Sequence, residues 1–213
     1  MRLASPVVLV AALLAGCAAA PPPAPPESLL ADRLFAPPRE AVRTDDIFVP
    51  SDAMRRYLAV DIADQIRLKG GQIGLAEALQ KHTHLRLEYD AARTKNAAAA
   101  FASRTGNCLS LVIMTAAFAK ELGVPVAYQA AYLDETWSRA GNLLIASGHV
   151  NVTLTRRLLD AKTARDRTPL TIDFLPAEDV RGLRTREISE ATIVAMYANN
   201  RAASASARRP WRA

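Results

Sequence analysis

The chain has 213 residues, half of them apolar, with 27 basic against 21 acidic residues and a net charge of +6. That length and apolar content suit a single domain of about 150 residues with its own core. The positive charges are scattered, with short clusters at Arg156-Arg157 and Arg208-Arg209 and no basic stripe interleaved with aromatics, which excludes nucleic acid as an expected partner; they read as a solvated surface, with weak attraction to anionic lipid or wall polymers as the further option.

The chain opens on a leader. Arg2 precedes an apolar run from Pro6 to Leu14, and Leu14-Ala-Gly-Cys17 closes it with small residues, the pattern of a secretory signal. Leu14, Ala15, Gly16 and Cys17 resemble the lipobox of a bacterial lipoprotein signal. The resemblance implies cleavage before Cys17 and lipidation of Cys17, which anchors the protein to the membrane. With Ala18 following instead of aspartate, it also implies sorting to the outer membrane of the bacterial cell envelope, facing the periplasm. An ordinary signal peptide or an uncleaved anchor is the plainer alternative. Residues 1–16 are thus expected to form the signal peptide and residues 17–45 a tether, in which Pro21-Pro-Pro-Ala-Pro-Pro26 favours extended polyproline geometry that packs no core.

The domain proper is expected over 46–203. Ser51 and Asp52 cap a helix whose apolar residues Met54, Leu58, Ile62 and Ile66 recur every fourth position, and Lys69-Gly-Gly71 stops it. A second helix runs from Gln72 to about Lys81. Leu85, Leu87 and Tyr89 then alternate with His84, Arg86 and Glu88 in a strand-like segment, and a short helix from Asn96 to Ala102 leads into a turn at Thr105-Gly106. From Cys108 to Leu122 the chain is apolar on every side of a helix that Gly123 and Pro125 terminate, so this helix is expected at the centre of the core. After it the period falls to two. Val126 to Leu133, Asn142 to Ala146, Val150 to Leu154 and Leu170 to Phe174 read as strands of an antiparallel meander, with breaks at Ser147-Gly148 and from Lys162 to Pro169. Ser189 caps a last helix through Tyr197, and residues 204–213 are expected to be a disordered tail. No internal repeat, phosphate-binding glycine loop or metal-ligand cluster is present, so no cofactor or metal is implied.

Cys108 is the residue on which chemistry turns. The chain has two cysteines, and with Cys17 acylated Cys108 has no partner within it. A solitary thiol in an oxidising compartment is either buried or used. At the start of a helix, unpaired N–H groups and the helix dipole favour a thiolate, but a nucleophile also needs a base. His82 and His84 lie in a polar connection and read as surface residues. His149 opens the strand-like run Gly148-His-Val-Asn-Val-Thr-Leu154, and Asp173 sits in the middle of an apolar strand, where a carboxylate is costly unless paired. On neighbouring antiparallel strands about 5 Å apart the two can meet. Strand parity then leaves Val150, Val152, Ile172 and Phe174 on the opposite face, to be covered by the N-terminal helices or the Ile193 helix, unless a bulge re-aims His149 and Asp173.

Cys, then His and Asp on successive strands after a core helix, resembles the transglutaminase-like fold, a papain-related arrangement. More narrowly, Gly106-Asn-Cys-Leu-Ser110, Gly148-His-Val-Asn-Val152, Ile172-Asp-Phe174 and Tyr197-Ala-Asn-Asn-Arg-Ala202 are similar to bacterial transglutaminase-like exported proteins over Arg93 to Ala203, roughly half the chain. The resemblance implies an α+β domain in which the cysteine-bearing helix packs on an antiparallel β-sheet, with N-terminal helices and a C-terminal helix. It implies Cys108 as nucleophile, His149 as general base and Asp173 as its orienting partner, acting on amide or peptide bonds of a protein or peptide substrate, with cell-wall peptides available at that address. The oxyanion would be met by the Cys108 N–H and one more donor, Asn107 or Trp137, although Asn107 also reads as a helix cap and Trp137 as a loop aromatic over the core. Relatives of this type commonly continue into helical repeats, which are not seen in this sequence after Asn200. Hydrolysis and amine transfer both remain open, as do a non-catalytic scaffolding or binding lipoprotein of the same fold and redox sensing by a lone thiol.

Overall fold

The computed structural model describes residues 41–80, 85–91, 93–140, 143–156, 168–176 and 182–207. The expected signal peptide, Cys17, most of the expected tether, His82, His84 and residues 208–213 lie outside the described residues. From Val42 onward the chain forms one unit.

Five helices and two sheets make an α+β fold among the described residues. Helix α1, Asp52–Arg56, is capped by the Ser51 hydroxyl, which accepts from Met54 N. One turn later the Ile62 N–H reaches back five residues to Tyr57 O, a π-turn over Tyr57–Asp61 that interrupts the expected single helix while Met54, Leu58 and Ile62 stay buried. Helix α2, Ala63–Gln80, is two helical pieces joined by a kink at Gly70 (φ 79°, ψ 163°), a backbone open to glycine alone, so the chain stops and restarts where Lys69-Gly-Gly71 was expected to stop it. Strand β1, Glu88–Tyr89, pairs in parallel with β2, Thr105–Gly106, and helix α3, Ala97–Ser103, is capped by Asn96 between them. The residues expected to form only a turn before Cys108 are thus also a strand.

Helix α4, Cys108–Glu121, is the centre of the core: every residue from Leu109 to Ala119 is buried. Tyr57, Phe101 and Phe118 meet around it with ring centroids 5.6–5.7 Å apart. Strands β3, Val126–Ala140, β4, Leu143–Leu154, β5, Leu170–Ile172, and β6, Arg184–Ile188, form an antiparallel sheet in the order β5-β4-β3-β6. One rung, Ile188, Tyr128, Val152 and Ile172, crosses all four strands and is wholly buried in the same core as α4.

Three expectations change. The break at Ser147-Gly148 is absent, because β4 runs through it; the irregularity falls on β3, where five steps from Ala131 to Thr136 answer two from His149 to Ser147. The sheet is not a simple meander, because β6 returns to pair with β3. Its sequence, Arg184-Thr-Arg-Glu-Ile188, buries only Ile188, so no alternating apolar signal marked this charged edge strand. Helix α5, Glu190–Ala207, extends well past Tyr197 into the expected tail, as its frequent alanines, the best helix formers, allow.

Candidate active site

Cys108 is placed by a built N-terminus. Asn107, in extended conformation, is the N-cap of α4: its Oδ1 accepts from Ser110 N at 2.9 Å and from Ser110 Oγ at 2.7 Å, while its Nδ2 donates to Thr94 Oγ1 at 2.8 Å. The cap expected of Asn107 is thus in place. The Cys108 and Leu109 N–H groups fall in the first turn, where helical geometry offers no acceptor. Gly106 lets the turn close tightly, since a Cβ there would lie 2.7 Å from Ser110 Cβ. Cys108 is a free, half-buried thiol.

His149 and Asp173 come together across β4 and the end of β5. The His149 Nε2 lies 2.8 Å from each Asp173 carboxylate oxygen, with the imidazole almost wholly buried. Asp173 stands one residue past β5, so strand parity does not bind it, and it also accepts from Leu175 N at 2.9 Å and Asn151 Nδ2 at 3.3 Å. Val150, Val152 and Ile172 are buried in the core and Phe174 packs against it, so both alternating sets of β4 are covered: every residue from His149 to Leu154 is buried. Along the strand, His149, Asn151 and Thr153 form a polar column answered by Asp173 and Thr171, the two threonine hydroxyls lying 2.8 Å apart. The irregularity of β3 begins at the His149 rung, Ala131 being its last regular partner.

The electrostatics follow from this burial and pairing. Desolvation opposes charge on His149, but hydrogen bonding to Asp173 and to Cys108, with the charges of both, outweighs it and pushes the imidazole up to about 9. For Asp173, burial favours the neutral acid, yet the hydrogen bonds from His149, Leu175 N and Asn151, and the His149 charge, hold it below the ordinary carboxylate value. With Nε2 given to Asp173, Nδ1 is the nitrogen left for Cys108. The result is an imidazole that holds its proton at neutral pH beside a half-buried sulfur.

The three residues expected to act together are therefore adjacent. Trp137 lies on β3 beyond the irregularity, paired with Ala146 and half exposed, on a strand and not in the expected loop. Two residues went unmarked by the sequence reading. Asn151 supports Asp173; its signal was its place two residues after His149, on the same side of β4. Tyr89, exposed at the end of β1 opposite Gly106, is close enough for burial and the Cys108 charge to raise its phenol; nothing in its alternating segment distinguished it. Among the described residues, no helix is long and apolar enough to cross a membrane. Neither family models, characterised proteins nor solved structures give a significant match to this chain.

Proposed function

We propose that the protein is a cysteine-dependent acyl-transfer enzyme of transglutaminase-like type, acting on amide or peptide bonds. The observation that carries this reading is the buried His149 ring, bridged to both oxygens of Asp173 at 2.8 Å and close enough to Cys108 for the sulfur to help hold its proton. The Cys108 thiolate adds to the carbonyl carbon, and the first-turn N–H groups of α4 stabilise the oxyanion. Collapse of the adduct breaks the C–N bond, and the leaving amine takes its proton from the His149 imidazolium. Water or an amine then attacks the thioester, His149 accepts the incoming proton, and the thiolate is released. The leader ending in Leu14-Ala-Gly-Cys17 supports placing this chemistry on a lipid-anchored protein of the cell envelope, where peptides of the wall and neighbouring proteins are the substrates at hand.

The test is acylation of the full chain by p-nitrophenyl acetate, read as acetyl mass on the Cys108 peptide and as a nitrophenol burst. Acetyl on Cys108, slowed at least about a hundredfold by His149→Ala, supports the assignment. Acylation at the same rate without His149, or none at Cys108, would sink it. Adding glycine amide and measuring its acetylation against acetate release separates amine transfer from hydrolysis.

A further inference from the structure

We propose that Thr94 and Asn200 are positioning residues for Cys108, forming a hydrogen-bonded relay, centred on the buried Thr94, from the C-terminal helix α5 to the cap of α4 that sets where the thiol stands against His149. The inference rests on the reading of Cys108 as a nucleophile. Thr94 belongs to no helix or strand and is 3 % exposed, yet its Oγ1 accepts from two side-chain amides, Asn107 Nδ2 at 2.8 Å and Asn200 Nδ2 at 3.0 Å. The orientation of the Asn107 amide is not free, because its oxygen is held by Ser110 N and Ser110 Oγ. The next residue along, Lys95, donates its backbone N–H to Ser110 Oγ at 2.8 Å. Segment Thr94-Lys95 therefore grips both Asn107 and Ser110, the residues that bracket Cys108.

This arrangement gives the Tyr197-Ala-Asn-Asn-Arg201 stretch a role that packing alone does not. Ile193 and Tyr197 bury the apolar side of α5 in the core, while Asn200 sends a polar group to the Cys108 cap. A thiol and an imidazole react as a pair only at hydrogen-bond distance, so a small rotation of the first turn of α4 lowers reactivity without unfolding anything. Removing the Thr94 hydroxyl leaves two half-buried amides without that acceptor, and the cap shifts to recover one.

The experiment is the rate of Cys108 carbamidomethylation by iodoacetamide in the folded full chain at 25 °C, followed by mass on the Cys108 peptide. Thr94→Val, close in shape, is expected to slow it about tenfold, and Thr94→Ser to stay within about twofold of the natural chain. Asn200→Ala lies between them. Tyr128→Phe, which removes the 2.7 Å hydrogen bond to Glu190 at the other end of α4, is the stability control and leaves the rate unchanged. A folded Thr94→Val chain reacting at the natural rate overturns the proposal, as does an equal loss in Tyr128→Phe; should Thr94→Val not fold, Asn200→Ala decides on the same criterion. His149→Ala is run in parallel: if it has no effect, the nucleophile reading fails, whereas a strong effect there with none at Thr94 or Asn200 rejects the relay alone.

Discussion

Replacing Asp173 by asparagine keeps the shape of the pair with His149 and removes its charge. In the folded chain His149 holds its proton up to about 9, against an ordinary value of 6.5. At about 1.4 kcal/mol per pH unit, that difference corresponds to about 3 kcal/mol of stability where the imidazole is fully protonated in both states, and about 2–3 kcal/mol at pH 7. The direction follows from the raised value: the contribution is complete below 6.5 and is lost as pH rises through about 9. The Asp173 contribution runs the other way, complete above its ordinary value of 3.8 and lost as pH falls through its lowered one. In Asp173→Asn, burial opposes the imidazole's charge with only Cys108 left to raise it, so its pKa falls from about 9 toward the ordinary value. Ring resonances followed by NMR through a pH series give that value directly, and melting curves give the energy. For a chain of this size about 2–4 °C accompanies each kcal/mol, so Tm drops by about 5–10 °C at pH 7. At pH 10 the gap narrows, since the natural chain has lost the same contribution. A natural-chain ring titrating near 6.5, or an equal Tm loss at pH 7 and pH 10, refutes the reasoning.

Two further substitutions probe the surroundings. Gly106→Ala places a Cβ 2.7 Å from Ser110 Cβ, so chemical denaturation should show a loss of about 1–3 kcal/mol, and a loss under about 0.5 kcal/mol would mean the turn moves freely. The Tyr57 hydroxyl is buried with no hydrogen-bond partner among the described residues, and burial pushes it up to about 12. Tyr57→Phe should therefore stabilise the fold by about 1 kcal/mol in the same assay, while a loss of that size would show that the hydroxyl has a partner after all.

Much of the helical framework was legible because each signal was local. Ser51, Asn96, Asn107 and Ser189 all cap the helices that their side chains announce, and the apolar run from Leu109 to Ala119 is buried as its composition requires. Legibility failed where pairing, and not local preference, decides the state. Strand β6 exists because β3 has an unpaired edge, and a stretch as charged as Arg184-Thr-Arg-Glu187 has no reason of its own to be extended. The same holds for β2, two residues that become a strand only because β1 lies beside them.

The site divides along the same line. A thiol at a helix start, a histidine opening one strand and a carboxylate in an apolar stretch were each visible in the sequence, since a buried carboxylate demands a partner whatever the fold. Sequence also determined the cap that holds Cys108, because Asn107 and Ser110 are neighbours along one turn. Only the tertiary structure decided that β4 runs unbroken to His149, that Asp173 clears the end of β5 and meets Nε2 with both oxygens, and that Asn151, Thr94 and Asn200 converge on these groups. Those contacts join residues far apart in the chain, and their geometry depends on register and helix placement that no local pattern encodes.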